Sequence, residues 1–256
     1  MLTIDLTVVL TATIRTTVPV ARADPALRLA DYRRGLRFWL ELPDPRIRRL
    51  LFIDNSDHPL DQLETDAAAY NPHDRECEFV SLDCNVLPPN LHYGYTEFQL
   101  LDLGLAQSRS YGRSRAFLKA TGRYTFPTVS RLLDRLPDNC VFAGDSRNNL
   151  RFERQPRRFT NCALLYFTRD FYDRHLRSLY RQMRPAPPWT REQFIEDVMF
   201  DQLMPLRGEP GVVLRWPVNC EPSGIGANDD NYDTPRKKLQ RGLRALGRRF
   251  TPHWWF

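Results

Sequence analysis

The sequence has no run of apolar residues long enough to cross a membrane. A spanning helix needs about 20 such residues, and the apolar stretch from Leu6 to Ile14 is much shorter. This stretch also makes a poor secretory leader, because Asp5 stands where a positive charge is expected and Arg15 interrupts it before the cleavage-like Ala21-Arg22-Ala23. We predict a first β-strand at 3–14 and expect any membrane contact to be peripheral.

Cysteine is sparse and is not spaced to form a framework. The chain has five cysteines, an odd number, and no two of them stand as Cys-x-x-Cys. Neither a disulfide scaffold nor a zinc site is indicated. A reducing cytoplasm is the expected compartment, and the protein could also bind peripherally to the inner face of the membrane. The cysteines are Cys77, Cys84, Cys140, Cys162 and Cys220.

Several common catalytic signatures are also missing. The five histidines form no His-Glu-x-x-His and no i,i+4 pair, and the sequence contains neither a Gly-x-Ser-x-Gly elbow nor a Walker loop. Zinc hydrolases, serine hydrolases and P-loop enzymes are therefore excluded as interpretations. No cofactor is expected. The histidines are His58, His73, His92, His175 and His253.

Positive charge is what the chain does have. The 37 Lys and Arg against 31 Asp and Glu give a formal net charge of +6 and a pI near 9.2. Most of these cations are arginine, whose planar fork favours bidentate contact with phosphates and carboxylates. The 256 residues, 42% of them hydrophobic, can bury the core of an enzyme-sized protein with anionic partners.

Strand and helix patterns alternate along most of the chain. Such alternation predicts an α/β fold, a Rossmann-like mostly parallel sheet with helices on both faces. We assign residues 1–216 to a catalytic domain and 217–256 to a loop and a basic amphipathic segment. Predicted strands are 3–14, 49–53, 77–82, 116–118, 140–143, 161–167 and 212–216; predicted helices are 25–42, 60–70, 96–107, 129–136, 169–183, 191–206 and 235–249.

The strand at 116–118 ends abruptly in polar and cationic residues. Lys119, Thr121 and Arg123 follow the apolar run, and Gly122 permits a sharp turn among them. Ligands of open α/β sheets gather at such carboxyl ends. Phosphate contact by Lys119 and Arg123 is one interpretation, and ion pairing with a neighbouring carboxylate is the other.

An ordered set of motifs resembles glycosyltransferases of the GT-A fold, particularly family-2-like enzymes of bacterial surface polysaccharide synthesis (lipopolysaccharide or capsule). The set comprises Ile53-Asp54-Asn55-Ser56 after a strand, a Gly94-Tyr95 loop entering a helix, and Glu196-Asp197 in a later helix. The resemblance covers residues 3–206. It implies a nucleotide-sugar donor and a glycan or lipid-linked glycan acceptor.

The resemblance also assigns a donor site. Asp54 would contact the nucleotide base, and Thr11 and Thr13 would line the same pocket, with Asn55, Ser56, Gly94 and Tyr95 around them. Asp54 could instead be a turn residue, because Asx turns at strand ends are common without ligands. Asn55 and Ser56 are mostly turn formers.

One departure from the family is informative. Where a GT-A enzyme usually carries Asp-x-Asp to hold a divalent cation, this chain has Lys119, Thr121, Gly122 and Arg123. Cationic side chains cannot ligate a metal ion but can neutralise a leaving diphosphate, so we expect metal-independent transfer. The Ser223-Gly224 loop could add backbone N–H groups to the diphosphate, or it could be a flexible surface loop.

An inverting transfer also needs a base for the acceptor hydroxyl. Asp197 is the first choice and Glu196 the second; a capping box of Thr190 and Gln193 makes a purely structural helix start the alternative.

The basic segment 235–249 carries Leu239, Leu243 and Leu246 on one side, and Trp254-Trp255-Phe256 follows it. It could bind anionic lipid or pack on the body of the protein through its leucines.

For the whole chain, a nucleic-acid-binding protein and a nucleotidyltransferase are the rival functions. Interleaved acids and missing motifs argue against nucleic acid as a partner.

Overall fold

A computed structural model describes residues 5–148, 158–187 and 192–250. Its centre is one seven-stranded sheet in the order β3-β2-β1-β4-β6-β5-β7. The strands are β1 (Leu6–Ala12), β2 (Ile47–Asp54), β3 (Glu76–Ser81), β4 (Ala116–Thr121), β5 (Phe142–Asn148), β6 (Arg158–Thr168) and β7 (Val212–Val213). The predicted α/β class is confirmed.

The helices lie on both faces of this sheet. They are α1 (Pro25–Glu41), α2 (Asp61–Ala69), α3 (Gly94–Gln107), α4 (Arg109–Arg113), α5 (Val129–Leu133), α6 (Arg169–Phe171), α7 (Ile195–Leu203) and α8 (Pro235–Phe250). Asp24 caps α1 as its sequence indicates, since its carboxylate accepts hydrogen bonds from the N–H groups of Ala26 and Leu27. No helix among the described residues is both long enough and apolar enough to span a membrane.

The sheet separates two apolar cores. On one face, Tyr32, Leu36 and Trp39 of α1 pack against alternate residues of the strands. On the other face, α3, α7 and the segment after β6 cover residues such as Val9 and Phe117. Strands β1 and β4 are buried almost throughout because both cores enclose them. This explains why their sequences are nearly continuous apolar runs.

Strand β6 departs from the expected parallel arrangement. It runs antiparallel to both of its neighbours, β4 and β5, whereas β1, β2, β3 and β4 form parallel pairs. The sheet is therefore mixed. The direction of β6 depends on how the chain crosses between β5 and β6, and strand composition does not encode it.

The helix predicted at 169–183 is not continuous. After α6, a π-helical turn spans Tyr172–Leu176 and a 3₁₀ turn spans Leu179–Gln182. Ser178 breaks the run, because its φ of 59° is left-handed and its N–H donates to Asp102 Oδ2 on α3 at 2.7 Å. A tertiary hydrogen bond thus overrides the helical periodicity.

The helix predicted at 191–206 begins later, as α7 at Ile195, and ends in a 3₁₀ turn at Met204–Leu206. Thr190 of the predicted capping box and the terminal Trp254-Trp255-Phe256 lie outside the described residues.

The predicted C-terminal helix is confirmed as α8. Its leucines are 55–66% exposed, so they do not pack on the body of the protein. The helix is held instead by Arg241, which donates to the carbonyl oxygens of Pro222 and Tyr232, and by Arg244, which pairs with Glu221 at 2.9 Å. Polar contacts face the protein and an apolar stripe faces outward.

Candidate functional site

A cavity opens at the carboxyl ends of β1 and β4, where ligands of open α/β sheets bind. Its empty volume, including open solvent at the mouth, is about 530 Å³. The polar residues that line it include Thr11, Thr13, Tyr93, Glu97, Thr121 and Arg123.

Arg123 presents the least satisfied cation of this cavity. The residue is only 9% exposed, and its Nε and Nη1 atoms are buried without a hydrogen-bond partner. Burial works to lower its pKa, but the surrounding Tyr32, Tyr124 and Glu97 outweigh that effect and raise the pKa. A buried guanidinium with unused donors is a ready site for an anion.

The turn that follows β4 places Arg123 there. The Gly122 N–H donates to Thr11 O at 2.8 Å, which ties the turn to the end of β1. Helix α1 approaches the same turn so closely that a Cβ on Gly35 would lie 1.9 Å from Gly122 O. Gly122 is therefore part of the packing that positions Arg123, and its predicted diphosphate contact stays a prediction.

Lys119 lies below the cavity in a buried ion pair with Glu97 of α3. Its side chain is fully buried, and Nζ donates to Glu97 Oε1 at 2.6 Å, to Cys162 O at 2.6 Å and to Thr121 Oγ1 at 3.3 Å. An ammonium has three protons, so these acceptors use all of them. The ion pairing left open by the sequence is present, and direct diphosphate contact by Lys119 stays untested.

Glu97 is also the acceptor for both strand-end threonines. Thr11 Oγ1 donates to Glu97 Oε1 at 2.9 Å, and Thr121 Oγ1 donates to the same oxygen at 3.1 Å. Burial works to raise the pKa of Glu97, but Lys119 and the two hydroxyls outweigh it, so the pKa is lowered. Glu97 is charged in the folded protein at neutral pH.

Thr13 belongs to a separate part of the wall. Its N–H donates to the Tyr32 hydroxyl at 2.9 Å, and its carbonyl oxygen accepts from Arg28 Nε at 2.6 Å. The predicted pocket residues Thr11, Thr13, Thr121 and Arg123 thus meet at one cavity.

The motif after β2 serves the backbone. Asp54 is fully buried; its Oδ1 accepts from the Ile14 N–H at 2.8 Å, and its Oδ2 accepts from the N–H and hydroxyl of Ser56. These bonds join the ends of β1 and β2. Asn55 is fully buried with both amide atoms unpartnered. None of the three residues lines the cavity, and nucleotide contact by them stays a prediction.

Gly94 and Tyr95 begin α3 and act in packing. A Cβ on Gly94 would lie 2.6 Å from Ile195 Cγ2, so only glycine lets α3 approach α7 this closely. Tyr95 packs edge to face on Tyr180, with ring centroids 4.9 Å apart. Their predicted contact with the donor stays untested.

The Ser223-Gly224 loop lies against Arg123, since a Cβ on Gly224 would be 3.3 Å from Arg123 O. The hydrogen-bond donors of this loop already bind the carboxylate of Asp233. The Ser223 hydroxyl donates to Asp233 Oδ1 at 2.7 Å, and the Gly224 N–H donates to Asp233 Oδ2 at 3.0 Å. Diphosphate binding by this loop would require Asp233 to give way.

The two candidate bases occupy different surroundings on α7. The carboxylate of Asp197 accepts a hydrogen bond from the Phe194 N–H at 3.1 Å, a helix-capping contact. Glu196 lies near Tyr93, which lines the cavity; burial and the carboxylates of Glu196 and Glu97 raise the pKa of Tyr93 to about 12.

Sequence reasoning missed Glu97, Tyr93 and Arg28. A signal for Glu97 was present, because Leu101 and Leu105 follow it at helical spacing and place a carboxylate on the buried face of α3. A charged residue on a buried helix face requires a partner, and Lys119 in an apolar strand is the matching cation. Neither Tyr93 nor Arg28 carries a comparable signal.

No protein-family model and no curated protein matches the sequence. Solved structures of related fold include an active-site mutant of LgtC, at 14% identity and TM-score 0.49 over 81% of this chain and 72% of that one. The WbbM bifunctional glycosyltransferase gives 11% identity and TM-score 0.49 over 95% of this chain and 44% of its own. A 4-diphosphocytidyl-2C-methyl-D-erythritol synthase from Anaerococcus prevotii gives 10% identity and TM-score 0.44 over 94% and 96%. Similarity at this level does not identify the function.

The Glu97 and Lys119 charges should depend on each other for stability. Glu97→Gln leaves the fully buried Lys119 without a counter-charge, so we expect a loss of about 3–5 kcal/mol in the free energy of unfolding. The neutral pair Glu97→Gln/Lys119→Met should recover most of that loss. Urea denaturation of the three proteins measures both effects.

The pH dependence of the free energy of unfolding provides a control for the same three proteins. Because the pKa of Glu97 is lowered by folding, its contribution is complete above the unfolded value of about 4.3 and is lost as the pH falls toward the folded value. The neutral pair should lack this part of the acid dependence. A neutral pair no more stable than Glu97→Gln would contradict the coupling.

Proposed function

We propose that this chain is a nucleotide-sugar glycosyltransferase that binds the donor's nucleoside diphosphate in the cavity at the carboxyl ends of β1 and β4. The observation that carries the proposal is Arg123, a buried guanidinium whose Nε and Nη1 have no partner and which lines the cavity. Charged donors without hydrogen-bond partners favour an anionic ligand such as a phosphate.

A fixed cation suits the chemistry of the leaving group. Glycosyl transfer breaks the bond between the anomeric carbon and the diphosphate, and negative charge grows on the departing oxygen. A preorganised guanidinium in a site of low dielectric stabilises that charge without reorganisation. Transfer without a metal ion, the inverting course and the role in surface polysaccharide synthesis remain parts of the proposal.

Arg123→Gln tests the diphosphate contact. Hydrogen bonds to charged groups contribute about 1.5–3 kcal/mol, so affinity for the best-bound member of a panel of UDP, GDP, dTDP and CMP should fall by about 10- to 100-fold. Titration calorimetry with and without EDTA measures it. Arg48→Gln, at the opposite end of β2 and exposed, is the matched control and should bind like the parent.

The reaction class is decided with the same protein. Release of nucleoside diphosphate from a nucleotide sugar in the presence of acceptor supports glycosyl transfer. Release of pyrophosphate from a nucleoside triphosphate and a sugar phosphate would instead establish a nucleotidyltransferase. Absence of nucleotide binding in the parent would reject both.

Glu196 is the stronger candidate for the base. Its charge helps to raise the pKa of Tyr93, which lines the cavity, so its carboxylate is close to the proposed donor site. A base near the acceptor hydroxyl would remove its proton as that oxygen attacks the anomeric carbon, which inverts the configuration. This order reverses the preference drawn from the sequence.

Matched amide variants separate the two carboxylates. Glu196→Gln should lower turnover by about 10²- to 10⁴-fold with donor affinity retained. Asp197→Asn should lower the free energy of unfolding by about 0.3–1 kcal/mol through the helix terminus, with little change in turnover. Steady-state kinetics and denaturation measure the two. A large loss of turnover in Asp197→Asn alone would restore Asp197 as the base.

Helix α8 supports peripheral membrane contact as part of the proposal. Leu239, Leu243 and Leu246 are 55–66% exposed and Phe250 is 71% exposed, and they recur at helical spacing. The helix has seven Lys or Arg residues and no acidic residue. An apolar stripe with flanking cations complements the surface of an anionic bilayer, where a lipid-linked acceptor would lie.

Vesicle sedimentation tests this contact. The parent should pellet with phosphatidylglycerol vesicles at low salt but not with phosphatidylcholine vesicles, and Leu243→Asp/Leu246→Asp should stay in the supernatant. Lys237→Gln/Lys238→Gln should weaken binding by about 10- to 30-fold, since each cation contributes about 1 kcal/mol. Binding that survives the leucine substitutions would reject the assignment of α8.

A further inference from the structure

The carboxylate of Glu97 is used on one side only. Its Oε1 accepts hydrogen bonds from Thr11, Lys119 and Thr121. Nothing among the described residues donates to Oε2, although Glu97 lines the cavity and its side chain is 25% exposed. One oxygen therefore holds the carboxylate in place while the other remains an open acceptor at the cavity.

A purely structural ion pair gives no reason for this asymmetry. A buried pair contributes little to stability unless its remaining lone pairs are satisfied, and a carboxylate can accept about four hydrogen bonds. Here three donors from β1 and β4 converge on a single oxygen. The arrangement fixes the rotamer of Glu97 and leaves Oε2 to a group that comes from outside the chain.

The local charge balance determines what kind of group fits. Lys119 cancels the charge of Glu97, so the pair is net neutral and does not repel an anionic ligand. Arg123, on the same cavity, is close enough to Glu97 for the carboxylate to help raise its pKa. The cavity thus offers an acceptor near unused cationic donors, which complements a ligand carrying a hydroxyl close to a phosphate.

We infer that Glu97 Oε2 accepts a hydrogen bond from a ligand hydroxyl close to the diphosphate, and that Lys119 is a positioning residue which holds the carboxylate for this contact. The inference rests on the proposed function. In a nucleotide sugar the diphosphate is flanked by two polyols, the ribose and the transferred sugar, and either supplies the hydroxyl that a charged acceptor selects.

Deoxygenated nucleotides test the contact without any substitution. The ribonucleoside diphosphate that binds the parent best is compared by titration calorimetry with its 2′-deoxy and 3′-deoxy forms. If Glu97 contacts the ribose, loss of the hydroxyl should weaken binding by about 10- to 100-fold. If the diphosphates bind equally and only deoxygenated nucleotide sugars bind more weakly, the hydroxyl belongs to the transferred sugar.

The neutral variant Glu97→Gln/Lys119→Met links that discrimination to the carboxylate. It should bind the ribonucleotide more weakly than the parent and should bind the hydroxyl and deoxy forms with nearly equal affinity. Arg123→Gln is the comparison, because it should weaken both forms alike and keep their ratio.

Two outcomes overturn the inference in distinguishable ways. The inference fails if the parent binds nucleotides with and without each hydroxyl equally well, or if the neutral variant keeps the parent's preference for the hydroxyl form. In either case Glu97 does not bind a ligand hydroxyl, and the proposed function is unaffected. If the parent binds no nucleotide in the panel, the proposed function fails and the inference fails with it.

Discussion

Glu97 and Lys119 join four elements at the base of the cavity. Glu97 comes from α3 and Lys119 from β4, while Thr11 of β1 and the Cys162 carbonyl of β6 complete the hydrogen bonds around them. Because Lys119 is fully buried, each of these partners has to be in place for its charge to be tolerated. The pair therefore fixes the relative positions of the helix and the three strands that carry the cavity wall.

The two cations at the end of β4 differ in how far the protein satisfies their hydrogen-bond donors. Lys119 lies on the α3 side of the sheet, and all three of its N–H donors bind acceptors within the protein. Arg123 comes after the Gly122 turn, and its Nε and Nη1 have no partner. One cation supports the architecture and the other remains available, although the sequence presents them as equivalent.

The C-terminal segment connects the cavity to the surface of α8. Ala227 lines the cavity, and Tyr232 packs edge to face on Tyr124, next to Arg123. Arg241 and Arg244 of α8 hold the same segment through Pro222, Tyr232 and Glu221. The polar side of the helix thus contacts the segment that contributes Ala227 to the cavity wall, and its apolar side faces away from the protein.

Patterning of apolar residues determined most of the fold. The alternation of strands and helices, the cap at Asp24, the buried strand before Lys119 and the basic C-terminal helix all follow from local composition and spacing. These features are local, so a single sequence encodes them directly. The convergence of Thr11, Thr13, Thr121 and Arg123 also follows, because the ends of parallel strands meet at one edge.

Only the tertiary structure decided which polar groups remain free. Asp54 and Asp197 have the composition of site residues, but backbone N–H groups occupy their carboxylates. Glu97 is distant from Lys119 in sequence, and its pairing depends on α3 packing against β1 and β2 beside β4. The antiparallel direction of β6 and the break at Ser178 likewise depend on contacts between distant segments. Whether a charge is satisfied is a property of its three-dimensional neighbours, and the sequence alone does not specify them.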